Sequence, residues 1–439
     1  MSTPHALLDS SPWNREHWKL FTIVSLTFFL DGVLFTIVPS ILYLIVEPGL
    51  ATTIFSINLL AFMLGAQVLG RLADIYGRRV MLIVAISIYT AATFLLVPLH
   101  GGFTELLILS SAINFGIGGE IGAAYSAMAE LTPARHRGKA IMLSANMWNV
   151  GAAVIAWLAL YYGGLYTDIT SQISSVILTA AMLAIVIALA RIHLPESPRW
   201  LIQRRRYDKA IEIMSRISGK PREAIAAAIE KLEIPSEGVG LRDAMRRYSF
   251  RLVVLILITG SQYVTYNIIS YYLPYASGFA YGIDIAPLNI AIANLGASVG
   301  AFLLLPIIDR SRKISTLTSY LGGTITAITL AIIHSAAPLE VFLAVVFINM
   351  IFSEWAWASL SALESELFPT GVRASTIGFI TLVSTAAVAV MVYVEKYISA
   401  QLFLALASLI WAIGLSSSAA WYLRGVESAR KTVEELAKS

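Results

Sequence analysis

The chain has 439 residues, of which 57% are hydrophobic and only 13% are charged, and its mean hydropathy is +0.75. Soluble domains carry about 25% charged residues, so this composition excludes a soluble globular protein and indicates that the bilayer is the solvent. The absence of cysteine excludes a disulfide framework and a cysteine-ligated metal.

Long apolar runs, broken by charge, Pro or Gly clusters, predict twelve membrane-spanning helices in two sets of six. The first set is expected near 18–46, 52–73, 78–98, 104–130, 138–162 and 171–193, and the second near 251–277, 285–308, 314–335, 339–366, 373–395 and 398–423. The predicted fold is therefore an all-α polytopic membrane protein. Its expected parts are an N-terminal six-helix half (1–193), a linker with short amphipathic helices (194–250), a C-terminal six-helix half (251–424) and a tail (425–439).

The basic residues sort to one side of this predicted topology. An even number of spans places both termini on the same side, and of the 31 Lys and Arg residues only Lys396 falls on the other. The positive-inside rule then predicts that both termini are cytoplasmic, in a multi-pass protein of the cell membrane. Topology accounts for the formal net charge of +4. The lipid bilayer is therefore an expected partner, and nucleic acid is not.

The two predicted halves repeat one another in sequence. The run Glu-Leu-Thr-Pro with a following Arg recurs as Glu-Leu-Phe-Pro with a following Arg, and an Asp in the loop after the second span of each half is also followed by Arg residues. The first repeat joins Glu130 and Arg137 to Glu366 and Arg373 at an offset of 236 (366 − 130). The second joins Asp74 to Asp309 at 235 (309 − 74), and the Arg residues that follow them include Arg78 and Arg312. Two repeated halves are typical of transporters that rock about a central site, and we expect the repeated charges to gate that movement.

Several motifs carry a family resemblance. GRLADIYGRR resembles the loop motif between spans two and three of the major facilitator superfamily. PESPRWL (195–201) resembles a signature shared by sugar porters, organic-cation-type transporters and metabolite:proton symporters, and GIGGEIGAAYSAMAELTPARHRG and ELFPTGVRASTIG are similar to the metabolite-symporter and synaptic-vesicle-protein-like branch. The resemblance implies the twelve-helix major facilitator fold and transport by alternating access, and it adds Glu196 and Arg199 to the predicted gating residues.

Three acidic residues are predicted near the bilayer midplane: Asp31, Glu120 and Glu354. An unpaired charge there costs on the order of 3 kcal/mol or more, so such residues are functional candidates by default. No Lys or Arg is expected at their depth, and a carboxyl group without a cationic partner can take up a proton from one side and release it to the other. We therefore expect proton coupling, although Glu354, beside Trp355, could instead attract a cationic substrate.

Neutral polar and aromatic side chains at similar depth are the candidate solute ligands. They are Asn146, Trp148, Asn149, Gln262, Asn267, Asn294 and Trp355. Amides donate and accept hydrogen bonds at once, which suits solutes with hydroxyl or carboxyl groups. For each residue the alternative is an interhelical hydrogen bond or a packing aromatic ring.

The sequence carries no GxxxxGK loop and no histidine spacing suited to a metal, so we expect neither ATP drive, a cofactor, nor an enzyme. It predicts a monomeric secondary transporter that moves a small organic solute, such as a sugar or a carboxylic or aromatic metabolite, by proton symport. The alternatives are a facilitator or proton antiporter for organic cations or drugs, and a transporter-like nutrient sensor.

Overall fold

The computed structural model describes residues 8–191, 194–230, 246–306, 310–368 and 370–428. Within these ranges twelve helices are long and apolar enough to cross a membrane, and no strand is formed, which confirms the predicted all-α architecture. The first six are α1 (Arg15–Ile41), α2 (Pro48–Tyr76), α3 (Arg78–Leu99), α4 (Phe103–Leu131), α5 (Ala134–Leu165) and α6 (Ile169–Arg191). Three short helices follow, α7 (Pro198–Gln203), α8 (Tyr207–Ser218) and α9 (Arg222–Glu230). The last six are α10 (Ser249–Asn267), α11 (Ala286–Leu304), α12 (Arg312–Ile333), α13 (Leu339–Glu366), α14 (Thr370–Glu395) and α15 (Ala400–Arg424).

The two six-helix halves repeat the same packing. In the N-terminal half α1 packs on α5, α2 on α4, and α3 on α4 and α6. The matching helices of the C-terminal half repeat every pair, with α10 on α14, α11 on α13, and α12 on α13 and α15. The halves meet where α2 packs on α14 and where α5 packs on α11, so the interface is itself built from equivalent helices. We call the end that carries residues 8 and 428 the inner end, and the opposite end the outer end.

Close helix contacts depend on glycine at a few positions. A Cβ atom on Gly32 of α1 would lie 2.1 Å from the Trp148 carbonyl oxygen of α5. In the C-terminal half a Cβ atom on Gly296 of α11 would lie 2.3 Å from the Phe347 carbonyl oxygen of α13. Both distances are far below van der Waals contact, so only glycine lets these helix backbones approach so closely.

The seventh spanning segment changes its winding toward the outer end. After α10 the chain continues as a π-helical turn, Ile268–Tyr272, and a 3-10 turn, Leu273–Tyr275, which contains Pro274. Proline has no amide hydrogen and cannot continue a regular α-helix. The altered winding brings three tyrosines, Tyr271, Tyr272 and Tyr275, to the interface with the N-terminal half.

The short helices after α6 lie at the inner end against α1. Helix α8 buries Ala210, Met214 and Ile217, while its other face is charged. The Asn14 side chain, which caps the start of α1, also donates a 2.7 Å hydrogen bond to the Ile217 carbonyl oxygen. This contact fixes the segment between the halves to the first spanning helix.

Candidate transport site

A polar network joins the two halves at the centre of the bundle. The Asn149 amide of α5 donates to Glu354 Oε2 of α13 at 3.1 Å and to Asn146 Oδ1 at 3.2 Å. The Asn146 amide in turn donates to Ser298 Oγ of α11 at 3.1 Å. Each of these side chains is buried, so the bonds replace water contacts that the groups would otherwise require.

Two tyrosines extend the network toward the outer end. The Tyr266 hydroxyl lies 3.0 Å from Asn149 Oδ1 and 2.8 Å from Asn294 Oδ1. The Tyr271 hydroxyl lies 3.2 Å from the same Asn294 oxygen and accepts a 3.3 Å hydrogen bond from Trp148 Nε1. The structure thus brings four of the predicted solute ligands together with Glu354.

Tyr266 is one of three members of this network, with Ser298 and Tyr271, that were not among the predicted site residues. It stands four residues after Gln262 on α10, and residues at that spacing share a helix face. A search for polar groups along the face of Gln262 could have found it. Its phenol bridges the two halves through Asn149 and Asn294.

The other three predicted solute ligands lie outside the network. Gln262 donates to the carbonyl and hydroxyl oxygens of Ser353 at 3.4 and 3.3 Å. Asn267 donates to the Tyr263 carbonyl oxygen of its own helix at 2.9 Å, and the Trp355 indole donates to the Gly300 carbonyl oxygen at 2.9 Å. All four bonds stay within the C-terminal half. Those of Gln262 and Trp355 join neighbouring helices, as the alternative of interhelical bonding describes, whereas that of Asn267 stays within α10.

The expectation that no basic residue reaches the buried acids is wrong for Glu120. Arg191 Nη1 lies 2.5 Å from Glu120 Oε2 and Nη2 lies 2.9 Å from Oε1, in a pair whose side chains are 3% and 0% exposed. The Tyr89 hydroxyl lies 3.2 and 3.3 Å from the same two oxygens. Arg191 is the last residue of α6, so its backbone position suggested a boundary charge, but its long side chain turns into the bundle.

Asp31 of α1 lies beside this ion pair without a bond of its own. It is completely buried, and neither carboxyl oxygen has a hydrogen-bond partner. Glu120 and Arg191 are near enough to interact with its charge. Two carboxyl groups therefore share one guanidinium, and the guanidinium is already bound to both oxygens of Glu120.

A carboxylate caps the third helix of each half at the inner end. Glu196 Oε1 accepts from the Arg78 amide at 3.0 Å and the Arg79 amide at 3.3 Å, at the start of α3. A negative group at this place is favoured because the first amides of a helix are unsatisfied and carry partial positive charge. This contact also ties the segment after α6 to the loop between α2 and α3.

The equivalent cap in the C-terminal half is Glu427, which the sequence predictions had not assigned. Its carboxylate accepts from the amides of Arg312 at 2.9 Å and Lys313 at 3.4 Å, at the start of α12, and from the Ser311 hydroxyl. The signal was present, since Glu-Ser occurs both at 196–197 and at 427–428. In each half, therefore, a glutamate carboxylate caps the start of the third helix at the inner end.

Of the remaining predicted gating residues, Arg137 is the one whose side chain is described. Arg137 forms an ion pair with Asp9, ahead of the first spanning helix, and donates to the Thr132 carbonyl oxygen at 3.1 Å. Asp309 lies outside the described residues, and so do the side chains of Asp74, Glu130, Arg199, Glu366 and Arg373.

Aromatic rings close the outer end between the halves. The Tyr275 hydroxyl donates to the Pro39 carbonyl oxygen of α1 at 2.7 Å and accepts from the Tyr43 amide at 3.3 Å. The Phe55 ring of α2 lies 4.7 Å from the ring of Tyr272 and 4.8 Å from that of Tyr275. We call Tyr272 and Tyr275, with their contacts on α1 and α2, the outer gate.

The inner side of the central network is covered as well. Met142 of α5 packs with Leu304 and Ala358 of the C-terminal half. With the outer gate also closed, the central network lies between two layers of contact.

Two repeated six-helix halves around a central polar network form the major facilitator fold, which is that of a transporter and not of an enzyme. The chain belongs to the family described as "Sugar (and other) transporter", which it matches over residues 47–438. It is 27% identical over 420 residues to the inner membrane metabolite transport protein YgcS of Escherichia coli (strain K12), covering 91% of this chain and 89% of that protein. It is 24% identical over 389 residues to the niacin transporter NiaP of Acinetobacter baylyi, covering 86% of each chain.

Solved structures share the fold. The proton:xylose symporter XylE bound to 6-bromo-6-deoxy-D-glucose superposes with a TM-score of 0.74, at 18% identity, over 96% of this chain and 98% of that chain. An inward-open conformation of XylE from E. coli gives a TM-score of 0.73 at the same 18% identity, over 95% of this chain and 98% of that chain. At this identity the likeness establishes the twelve-helix architecture.

Proposed function

We propose that the protein is a proton-coupled symporter of a small, ring-bearing organic solute, located in the cell membrane with both termini cytoplasmic. The observation that carries proton coupling is Asp31, a buried carboxyl group with no bonding partner beside an ion pair. Two carboxyl groups and one guanidinium balance only if one of the acids is neutral. A proton on Asp31 supplies that balance.

The arrangement gives the proton a mechanical effect. When Asp31 loses its proton, it competes with Glu120 for Arg191, because an unpaired charge at this depth is costly. Such competition pulls α1, which carries Asp31, against α4 and α6, which carry the ion pair. The next residue, Gly32, touches the Trp148 backbone of α5, so movement of α1 reaches the central network directly.

The chemistry of the central network narrows the solute. It offers amides, phenol hydroxyls and one carboxyl group, which together donate and accept hydrogen bonds, beside the flat indole ring of Trp148, whose N–H only donates. Within the described residues no basic side chain belongs to this network. We therefore favour a neutral sugar or an uncharged aromatic metabolite over an anionic solute.

Uptake into proteoliposomes tests this proposal. Labelled D-xylose, D-glucose and nicotinamide are offered with and without an inward proton gradient. We expect the gradient to drive accumulation by the native protein. Asp31→Asn should lower gradient-driven uptake about tenfold or more, because an amide cannot take up and release the proton that couples the gradient to solute entry. Exchange of solute across the membrane without a gradient should persist in Asp31→Asn.

The matched control for this experiment is Asp208→Asn, which neutralises an exposed aspartate on α8. It should accumulate solute as the native protein does. Gradient-driven accumulation that is unchanged in Asp31→Asn would overturn the role of Asp31.

A second function, proton antiport of organic cations, is favoured by one observation. Glu354 accepts its hydrogen bond from the neutral Asn149 and lies in a network with Trp148 and Tyr266, so a cation could bind between carboxylate and ring faces. Loading the same vesicles with tetraethylammonium, a cation that does not cross the bilayer unaided, separates the two functions. Antiport predicts cation release driven by an inward proton gradient, whereas symport predicts none.

A further inference from the structure

The outer end of the C-terminal half holds a buried carboxyl group that the proposed mechanism does not use. Glu395 is the last residue of α14 and is completely buried. Neither of its carboxyl oxygens has a hydrogen-bond partner. Val392, one turn earlier, and Ala400, at the start of α15, belong to the apolar core around it.

The turn after Glu395 is tied to the outer gate by a 2.7 Å hydrogen bond from the Ala400 amide to the carbonyl oxygen of Ser277, two residues after Tyr275. Tyr272 and Tyr275 are both near enough to interact with the charge of Glu395. The neighbouring Lys396 places its ammonium group elsewhere, 3.7 Å from the ring centroid of Tyr393 and 4.9 Å from that of Tyr397. Among the described residues no basic side chain pairs with Glu395, so nothing there neutralises a negative charge.

The closed gate therefore favours the neutral, protonated form of Glu395. A buried carboxylate without a partner is disfavoured by several kcal/mol, whereas a neutral carboxyl group carries a much smaller penalty. Separation of Tyr272 and Tyr275 from Pro39 and Phe55 would admit water to the turn beside Glu395. The ionised form then becomes acceptable, because water replaces the missing partners.

We propose that Glu395 takes up a proton from the outer solution as the outer gate closes, so that closure is linked to external pH. This inference rests on the proposed proton-coupled transport and adds a second, outer proton site to it. In this step a proton joins a carboxylate oxygen and no other bond changes. Since closure binds one proton, acid favours the closed gate, and the closed-to-open ratio changes by up to about tenfold per pH unit.

The native chain has no cysteine, so two engineered cysteines can report directly on the gate. Thr167→Cys and Ser277→Cys lie at exposed positions of the outer loops, one in each half. Spin labels at these sites give the distance between the halves by double electron–electron resonance in lipid nanodiscs. The distances are measured from about pH 5 to about pH 9.

We expect the label separation to increase as the pH rises. Glu395→Gln should keep the short distance across the whole range, because its side chain cannot ionise. Glu395→Asp, which keeps an acid at the position, should retain a pH-dependent distance. Glu47→Gln neutralises an exposed carboxylate at the same outer end and should behave as the native protein does.

Two results would overturn the inference: a native distance that does not depend on pH, or an unchanged pH dependence in Glu395→Gln. Asp31→Asn in the same labelled chain tells the two proton sites apart. The inference requires the pH-dependent distance to persist in Asp31→Asn. A failure of the proposed function would appear separately, as solute uptake that ignores a proton gradient while the distances still follow pH.

Discussion

The buried acids of the two halves differ in what surrounds them. In the N-terminal half Asp31 and Glu120 lie around a single cation, Arg191, and Tyr89 lies within hydrogen-bond distance of Glu120. These groups form one charge-balanced cluster. A change at any one of them alters the balance of the others.

The acids of the C-terminal half are separate and have neutral surroundings. Glu354 accepts from the Asn149 amide at 3.1 Å, and Glu364 accepts from the Thr259 hydroxyl at 2.7 Å. Glu395 has no partner among the described residues. Each of these acids can change its charge without breaking an ion pair.

This difference in the surroundings of the acids indicates that the two halves have different roles, although they share the same fold. An ion pair that three groups share can switch between two arrangements, so the N-terminal cluster suits coupling between proton and movement. The isolated acids can instead change their charge on contact with a solute at the central network or with water at the outer gate. The contrast predicts unequal responses to substitution in the two halves.

The largest effect is expected from Arg191→Met. This change leaves the Glu120 carboxylate buried without its cation, and removal of one partner of a buried pair typically destabilises a protein by about 3–5 kcal/mol. Thermal unfolding in detergent should show a large decrease in midpoint temperature.

The paired change Glu120→Gln with Arg191→Met should recover much of that loss, because it removes both charges. Arg216→Met is the control, since this arginine is 48% exposed and lies 3.5 Å from Glu16. If Arg191→Met unfolds at the native temperature, the charge-balanced cluster does not exist as described.

A smaller and different effect is expected from Glu354→Gln. Its partner is neutral, so an amide of the same size should change the free energy of unfolding by less than about 1 kcal/mol. Solute binding should weaken by about tenfold, or about 1.4 kcal/mol, as measured by the KM for solute exchange in vesicles.

Glu340→Gln, an exposed acid at the start of α13, serves as its control. A destabilisation by Glu354→Gln as large as that of Arg191→Met would remove the contrast between the halves.

The smallest effects are expected where the halves are alike. Glu196→Gln and Glu427→Gln each weaken a carboxylate cap at the start of an equivalent helix, and such interactions contribute about 0.3–1 kcal/mol. Chemical unfolding and solute exchange rates should therefore change slightly and by similar amounts. A strong effect of one variant beside none of the other would show that the two caps are not equivalent.

Much of the architecture could be predicted from the sequence. Twelve apolar runs, interrupted by charge, fixed the number and order of the spanning helices, because a bilayer demands continuous apolar segments. Asn146 and Asn149 were predicted together, and their three-residue spacing does place them on one helix face. Both belong to the central network.

Two of the missed residues were missed for the same physical reason. Arg191 and Glu395 are the last residues of their helices, and the sequence assigns such charges to the membrane surface. In the structure both side chains point into the bundle and are buried. Tyr266 was missed for another reason, because a phenol in an apolar run reads as a packing ring until its hydrogen-bond partners are known.

The central claim is that a proton enters with each solute and that Asp31 carries this proton. It is tested most directly by adding solute to vesicles without any gradient and following the internal pH with a trapped dye. The account predicts that D-xylose or another transported solute acidifies the interior with the native protein. The same solute should exchange through Asp31→Asn without a pH change. Solute entry without acidification by the native protein, or acidification that persists in Asp31→Asn, would contradict it.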